Sequence, residues 1–522
     1  MRRVLAYDTT LRDGAQSPGV AFSSEDMLAI ARVLDDVGMD VVELGNPGAN
    51  AADLAIVRAA ADTLRRAKVA AFGMTCRAGG DPAADEGLAR LCDSGAAMAA
   101  IVGKASAMHV ERVLRVPNAE ALRMIGESVR YVASRGMAVI FDAEHFFDGW
   151  HHDAVFAFEA LRAALNGGAC ALALCDTNGG SLPWDVAAVI EAVQAEFPGV
   201  ALHFHGHNDA GLATASSLAA VRAGAQAVQG TIGGLGERCG NADLCQVLPG
   251  LALKLGCEVL DGRVERLSDA MRSIFDILNL APPENQPYVG ANAFAHKAGM
   301  HIDGVMKHSC SFEHVDPEAV GNRRRLILSA MSGRGALLRQ MEDIAPGLSK
   351  HSPEVQALVA RLKEEEAQGL SYEGADASFA LMVQRARGSA KRHFDVLDFH
   401  VISTGTATTA TVKVAAGGRI EMTAAEGDGP INALDLALRK ALCVFYPHLA
   451  ALKLVDYKVR VLQSGAGTAS RVRVVIQSAD AAGAWGTVGV SSNIIEASFH
   501  ALCDAIECFL NERGATPDEG IG

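Results

Sequence analysis

His205 and His207 stand one residue apart in the run ALHFHGHND. On an extended strand, side chains at i and i+2 leave the same face, so this pair aims two imidazoles at one place. Two imidazoles joined by a carboxylate form a site for a divalent cation, with positions left open for a substrate. Asp13, in TLRDG, is the leading carboxylate, and Asn241, in GERCGNA, offers a further oxygen. A histidine pair of this spacing also occurs as polar capping of a strand. The acids and amides that end the other apolar runs weigh for the metal.

Arg12 adjoins Asp13. Beside a cation its guanidinium would be a fixed positive charge, able to bind an anionic substrate and to stabilise an oxyanion as it forms. Otherwise it balances acidic neighbours at the surface. Glu43, in DVVEL, would hold that guanidinium through a two-pronged contact, or serve as a loop or cap carboxylate. Glu144, in FDAEH, follows an apolar run, where partial burial makes a carboxylate a useful general base. Asp142 and His145 compete for that part within the same motif. Thr177, in CDTNG, supplies a hydroxyl that could join backbone N–H groups around a substrate carboxylate, although DTNG alone would only mark a turn.

These residues need a scaffold that brings them to one rim. Eight short apolar runs precede Gly256: VLAYDTT, DVVELGN, VAAFGMT, MAAIVGK, MAVIFDAE, ALALCDT, ALHFHGH and AVQGTIG. Stretches with apolar residues at helical spacing separate them, such as SSEDMLAIARVLDDVG, with Ser23 or Ser24 as N-cap and Gly38 as its end. Eight strand-then-helix units predict a closed (β/α)₈ barrel over 1–260, with its chemistry at the C-terminal ends of the strands. The candidate residues fall at those ends, along with Thr9, Thr10, Asn46, Asp176, Asn178, Asn208, Asp209, Glu237 and Arg238. Such a crowd of polar groups is more than a structural rim needs.

Beyond the barrel, 261–394 reads as helical linker subdomains, including PEVQALVARLKEEEAQG. An α+β domain follows over 395–513, and 514–522 reads as a disordered tail. The domain carries a weak internal repeat: helices opening near Asn432 and Asn493, 493 − 432 = 61 residues apart, each follow a set of strands.

Composition narrows the function classes. Half of the 522 residues are hydrophobic and the formal net charge is −14, which suits a soluble enzyme and repels a phosphate backbone, so nucleic acid is not expected as a partner. No apolar run is long enough to span a membrane. MRRVLAYDTTLRDG has no apolar core of a signal peptide. Eleven cysteines without a CxxC pair predict reduced thiols and a cytoplasmic location.

The combination of DTTLRDGAQ, DAEHFFDGW, CDTNGG, HGHNDAGLA and GGLGERCGNADLC resembles the acetyl-CoA-dependent branch of the DRE-type barrel metalloenzymes, the 2-isopropylmalate, homocitrate and citramalate synthases. AFAHKAGMH, HVDPEAVGNRRR, AAEGDGPINALDLALRKAL and DYKVRVL are similar to the longer citramalate synthase type. The resemblance covers nearly the whole chain. It implies that Asp13, His205 and His207 bind the cation, with Asn241 ligating or beside it. It further implies that Arg12 polarises the keto oxygen, Thr177 binds the oxo-acid carboxylate and Glu144 removes a methyl proton from acetyl-CoA. His301, in AGMHIDG, resembles a histidine that the linker contributes to catalysis, often in the neighbouring subunit's site; its bland alternative is an ordinary helix histidine. The implied tail is a regulatory domain of a homodimer that binds an end-product amino acid, isoleucine in the citramalate type; a purely dimerising tail is the alternative.

The implied reaction joins acetyl-CoA to pyruvate by Claisen condensation and then hydrolyses the thioester, giving citramalate and CoA. The ligand set suits Mg²⁺, Mn²⁺ or Zn²⁺ alike, and the residues that hold acetyl-CoA are not legible. The sequence departs from the family at Phe312, where tyrosine is expected, and at residues 74–76 and 105–108, which are expected to line the oxo-acid pocket. These departures keep open a related synthase acting on another 2-oxo acid. A lyase cleaving an acyl-CoA at the same metal, and a ligand sensor on an inactive barrel, are weaker alternatives, opposed by the long tail and by the retained site residues respectively.

Overall fold

The computed structural model describes residues 2–327, 352–405, 407–462, 470–481 and 483–512. Its contacts divide the chain into two compact units: Met1–Phe294 with Glu313–Arg324, and Ala295–Phe312 with the chain from Arg325 onward.

In the first unit the eight apolar runs form β1 (Leu5–Asp8), β2 (Val41–Leu44), β3 (Lys68–Met74), β4 (Met98–Lys104), β5 (Ala138–Glu144), β6 (Ala171–Asp176), β7 (Ala201–Gly206) and β8 (Ala227–Gly230). All pair in parallel in chain order, and β8 closes on β1. The predicted barrel is therefore found. Its strands show little alternation because both faces are covered, one by helices and one by the barrel's own interior. The strand β6, ALALCD, is buried along its whole length.

Inside the barrel, Tyr7, Val41, Ala70, Ile140, Ala171 and Ala173 pack together. Tyr7 also meets His203 edge-on at 6.1 Å. Burial pushes His203 down to about 4, so it packs as a neutral ring. Three alanines make room for two large rings, the size alternation a filled barrel needs.

Between strands, the helix Ser24–Val37 starts at Ser23, whose hydroxyl and Asp26 cap each other, and ends at Gly38 with φ of 100°. The helix Leu267–Ile277 lays Leu267, Ala270, Met271, Ile274 and Phe275 into the same core as the barrel helices.

In the second unit, β9 (Ala295–His296) pairs with β10 (Arg325–Leu326), and the helix Gly299–Lys307 carries His301. The helices Pro353–Ala367 and Asp376–Ala386 follow. Then come two three-stranded antiparallel sheets, each followed by a helix. The first is β11 (Asp395–Ser403), β12 (Thr408–Ala416) and β13 (Arg419–Gly427) with the helix Pro430–Leu442; the second is β14 (Lys453–Val461), β15 (Val472–Asp480) and β16 (Gly483–Ser491) with the helix Ile494–Glu512.

The repeat is real and finer than the sequence indicates. Each first strand shifts register, between Val396 and Asp398 and between Leu454 and Asp456. In each copy a threonine of the third strand donates to a helix carbonyl, Thr423 to Ala437 at 2.7 Å and Thr487 to Ala501 at 2.8 Å. These bonds set the offset at 501 − 437 = 64, not 61. A slip of three residues keeps nearly the same helix face, which is why the apolar pattern alone gives the wrong register. The tail expected at 514–522 lies outside the described residues.

Candidate active site

The turn after β1 sets the first groups: the amides of Arg12, Asp13 and Gly14 all donate to the Thr9 carbonyl, at 3.1, 2.8 and 3.0 Å. That tight turn sends Asp13 back over the barrel mouth. From β7, His205 and His207 meet it. Asp13 Oδ2 lies 3.2 Å from His205 Nε2 and 3.8 Å from His207 Nε2, and the two Nε2 atoms are 3.4 Å apart. Gly206 between them is required by space, since a Cβ there would sit 2.8 Å from the Phe204 ring.

All three side chains are buried, with one ligand atom from each within 4.8 Å of the others. His205 Nδ1 faces Gln229 Oε1 at 3.0 Å. A proton on Nδ1 donates to that oxygen and leaves the Nε2 lone pair for a cation. Burial opposes the charge of Asp13, yet Arg12 and then His205 hold its carboxyl well below the ordinary range. Burial, then His205, pushes His207 down to about 4, so it offers a neutral ring. Burial opposes a charge on His205, yet Asp13 raises it, so a cation bound there would take the place of a proton on Nε2. A carboxylate and two imidazoles are the donor set a divalent cation requires, so these residues fit one.

Arg12 is pinned from three sides. Its Nε donates to Glu43 Oε1 in a very short contact, its Nη1 lies 3.3 Å from Asp13 Oδ2, and its guanidinium covers the Phe72 ring at 4.5 Å. Glu43 is fully buried, and Tyr7 donates its hydroxyl to the other carboxylate oxygen at 2.5 Å. Asp142 is buried nearby; desolvation, then Glu43, pushes it up to about 7, and its Oδ1 has no hydrogen-bond partner.

Glu144 has a partner that the sequence does not announce. It is partly buried as its place after an apolar strand implies, with 27% of the side chain exposed, and its Oε2 lies 2.5 Å from Lys104 Nζ. Burial along β5 stops one residue earlier, at Ala143. Next to it His145 adopts φ of 58° and lies tilted against His109, with ring centroids 3.6 Å apart. Thr177 accepts the His145 amide at 2.8 Å on its hydroxyl oxygen, leaving its O–H proton for a ligand. Arg238 is tied to both oxygens of Asp209 at 2.8 Å and to the Thr177 carbonyl at 2.8 Å.

A cavity of about 190 Å³ is lined by Arg12, Asp13, Glu144, Thr177, His205 and His207 among others. From strands β3 and β4 its wall is Phe72 and Val102, not residues 74–76 and 105–108. Met74 is instead exposed, while Cys76 is buried with its amide on Ser128.

Several rim residues serve the scaffold, against the expectation that a structural rim would not need them. Thr9 bonds the Gly230 carbonyl, Thr10 bonds Asp8 and the Ile232 amide, and Asn46 and Asn208 cap turns. Asn241 gives its Nδ2 to the Leu235 carbonyl at 3.0 Å, and its Oδ1 is buried without a partner. His301 lies in the second unit, stacked on Phe312 at 4.2 Å. Gln229, Tyr7, Phe72 and Lys104 are parts of the site that sequence reasoning did not name. Lys104 ends MAAIVGK in register with Glu144, and Gln229 stands in register with His205. A lone charged or amide residue at the end of an apolar run is the signal they carried.

Residues 3–260 match the HMGL-like family, 288–369 the homocitrate synthase post-HMGL domain-like family, and 373–510 the LeuA allosteric (dimerisation) domain. The chain is 43% identical over 520 residues to the (R)-citramalate synthase of Geobacter sulfurreducens, covering 98% of each chain. It is 43% identical over 512 residues to that of Aquifex aeolicus, covering 97% of each. Identity to the 2-isopropylmalate synthase of Pyrococcus furiosus is 32% over 521 residues, covering 97% of this chain and 99% of that one.

Proposed function

This chain belongs to the (R)-citramalate synthase family, and we propose on that premise that its barrel condenses acetyl-CoA with pyruvate and water, yielding citramalate and CoA. The observation that carries the reading is the convergence of Asp13, His205 and His207 beside a pinned Arg12 at one end of the barrel. This is an acyltransferase in which the acyl group becomes an alkyl group. Relatives with the same name at 43% identity favour pyruvate over the larger acid that the 32% identical isopropylmalate relative's name implies.

Asp13, His205 and His207 hold a divalent cation, Mg²⁺, Mn²⁺ or Zn²⁺, with Asn241 Oδ1 as a further oxygen donor. The bound cation supplies Lewis acidity and a template for the 2-oxo acid. Arg12 places a fixed charge where the keto oxygen becomes an alkoxide, and Glu43 with Phe72 keeps the guanidinium from swinging away. Thr177 donates its hydroxyl to the substrate carboxylate. Glu144 takes the methyl proton from acetyl-CoA. His301 acts from the linker, and the supporting observation is its motif AGMHIDG.

By composition the chain divides into a catalytic barrel over 1–260, linker subdomains over 261–394 and a regulatory, dimerising domain over 395–513, although the LeuA-type match already begins at residue 373. The LeuA-type match supports a homodimer and an allosteric effector, for which isoleucine is the candidate. A cytoplasmic location is supported by eleven free cysteines. Among the described residues no helix is long and apolar enough to cross a membrane.

The test is CoA release from acetyl-CoA across a panel of 2-oxo acids. Selective turnover of pyruvate is expected. Preference for a branched or dicarboxylic acid would assign the chain to a sister reaction, and absence of release with every acid would overturn the reading.

A further inference from the structure

A Claisen condensation has two carbonyls to activate, and the cation site and Arg12 address only the keto acid. The thioester oxygen, which gains negative charge as the methyl proton leaves, needs a donor of its own. Arg12 is held by Glu43, Asp13 and Phe72, and Arg238 by Asp209 and the Thr177 carbonyl. Both cations that line the cavity are therefore committed in place.

Lys104, which stands beside the cavity against its lining residue Glu144, is different. It is the last residue of β4, in register with Glu144 on β5, so the barrel itself holds the two side chains at one height on the rim. Its ammonium sits 2.5 Å from Glu144 Oε2, on a flexible stem with 20% of the side chain exposed. An ammonium has three donors, and the carboxylate takes one. In a thioester, the methyl carbon and the carbonyl oxygen are about 2.4 Å apart, from standard bond lengths. A carboxylate and an ammonium already in contact can thus reach both ends of one acetyl group.

Resting on the synthase reading, we propose that Lys104 is a catalytic residue that donates a hydrogen bond to the thioester oxygen of acetyl-CoA while Glu144 removes the methyl proton. The C–H bond breaks and its electron pair becomes the carbon–carbon double bond of the enolate. The carbonyl π pair moves to oxygen, where the Lys104 ammonium meets it without giving up its proton. The freed proton rests on Glu144. The enolate carbon then bonds the keto carbon, whose π pair moves onto the keto oxygen beside Arg12. Removing a single preorganised donor of this kind costs about 10²–10³ in rate.

The test compares full-length wild type, Lys104→Met and Lys104→Arg, each checked for folding by circular dichroism. Wild-type CoA release with pyruvate comes first; its absence overturns the synthase reading and this inference with it. With an active wild type, Lys104→Met should lose about 10²–10³ in kcat at little change in pyruvate KM or Mn²⁺ affinity. Lys104→Arg should recover part of that loss, and still reports if the methionine variant does not fold.

A lysine that merely orients Glu144 would give similar losses, so a second substrate separates the two roles. Acetyl-dithio-CoA carries sulfur in place of the carbonyl oxygen and has a more acidic methyl group, so it depends less on a hydrogen bond at that atom. The loss on replacing Lys104 should be at least tenfold smaller with the dithioester than with acetyl-CoA. Equal losses with both substrates, or a kcat within threefold of wild type, would overturn the role of Lys104 and leave the synthase reading intact.

Discussion

His205, His207 and Asp13 were legible because strand geometry turns an i, i+2 spacing into a shared face, and one acid had to meet it. Their supports were not, because those supports come from register. Gln229 orients His205 only because β8 lies against β7 with those two residues level. Lys104 reaches Glu144 for the same reason on β4 and β5. Chain order fixes the neighbours along one strand and leaves open which residue of the next strand lies level with them. His207→Ala should lose Mn²⁺ binding by titration calorimetry and abolish turnover; retained binding with full activity would remove the histidine from the ligand set. Glu43→Gln tests the clamp on Arg12. Glu43 is fully buried against the guanidinium, and removing one charge of a buried pair costs about 3–5 kcal/mol. A lowered urea midpoint together with a fall of about tenfold or more in kcat is expected, since Arg12 then keeps only Asp13 and Phe72. A variant with wild-type stability and rate would show that Arg12 needs no such restraint.

At the scale of elements, the barrel was readable because parallel strands covered on both faces are plain apolar runs, as in ALALCD, and their number was enough to close a cylinder. The repeat was half-readable: its helices were visible, but their register depended on Thr423 and Thr487, whose bonds to helix carbonyls leave no trace in an apolar pattern. The end of β1 carries a pH dependence. Asp8 is fully buried, accepting from the Thr10 amide and hydroxyl at 2.9 Å. Desolvation pushes it up to about 7, against about 4 in an unfolded chain. Between those values the folded chain holds a proton that the unfolded chain has released, so stability falls as pH rises through the window and is lowest above it. Asp8→Asn should flatten this part of the curve. Urea unfolding of both proteins in chelator at pH 5 and pH 8 measures it. The wild type should lose more stability than the variant on going to pH 8, and parallel losses would mean that Asp8 titrates normally.

For the molecule as a whole, the question is where the regulatory part begins. A boundary at 394 follows composition, but the contacts on either side of it are dense. The helices Pro353–Ala367 and Asp376–Ala386 share a core with Val488 of β16. Ser378 bonds both Asp504 and the Val488 amide, at 2.9 and 3.0 Å. The amides of His393 and Phe394 both donate to Glu507, which His393 Nδ1 also meets at 2.9 Å. Ending the chain at Phe394 would expose Leu358, Leu362 and Met382 and strand these polar groups, so that truncation should aggregate rather than yield an enzyme freed from inhibition. A fragment beginning at Ser352 keeps the shared core, and should melt in one cooperative transition by circular dichroism. If the effector is isoleucine, the same fragment should melt higher in its presence, by the equivalent of about 2.7 kcal/mol at a hundred times Kd. A chain restricted to residues before Ser352 should not respond. A fragment that folds yet ignores isoleucine would leave the domain a dimerising module for which another effector, or none, has to be sought. Aggregation of the fragment from Ser352 alongside a well-behaved chain ending at Phe394 would instead restore the compositional boundary.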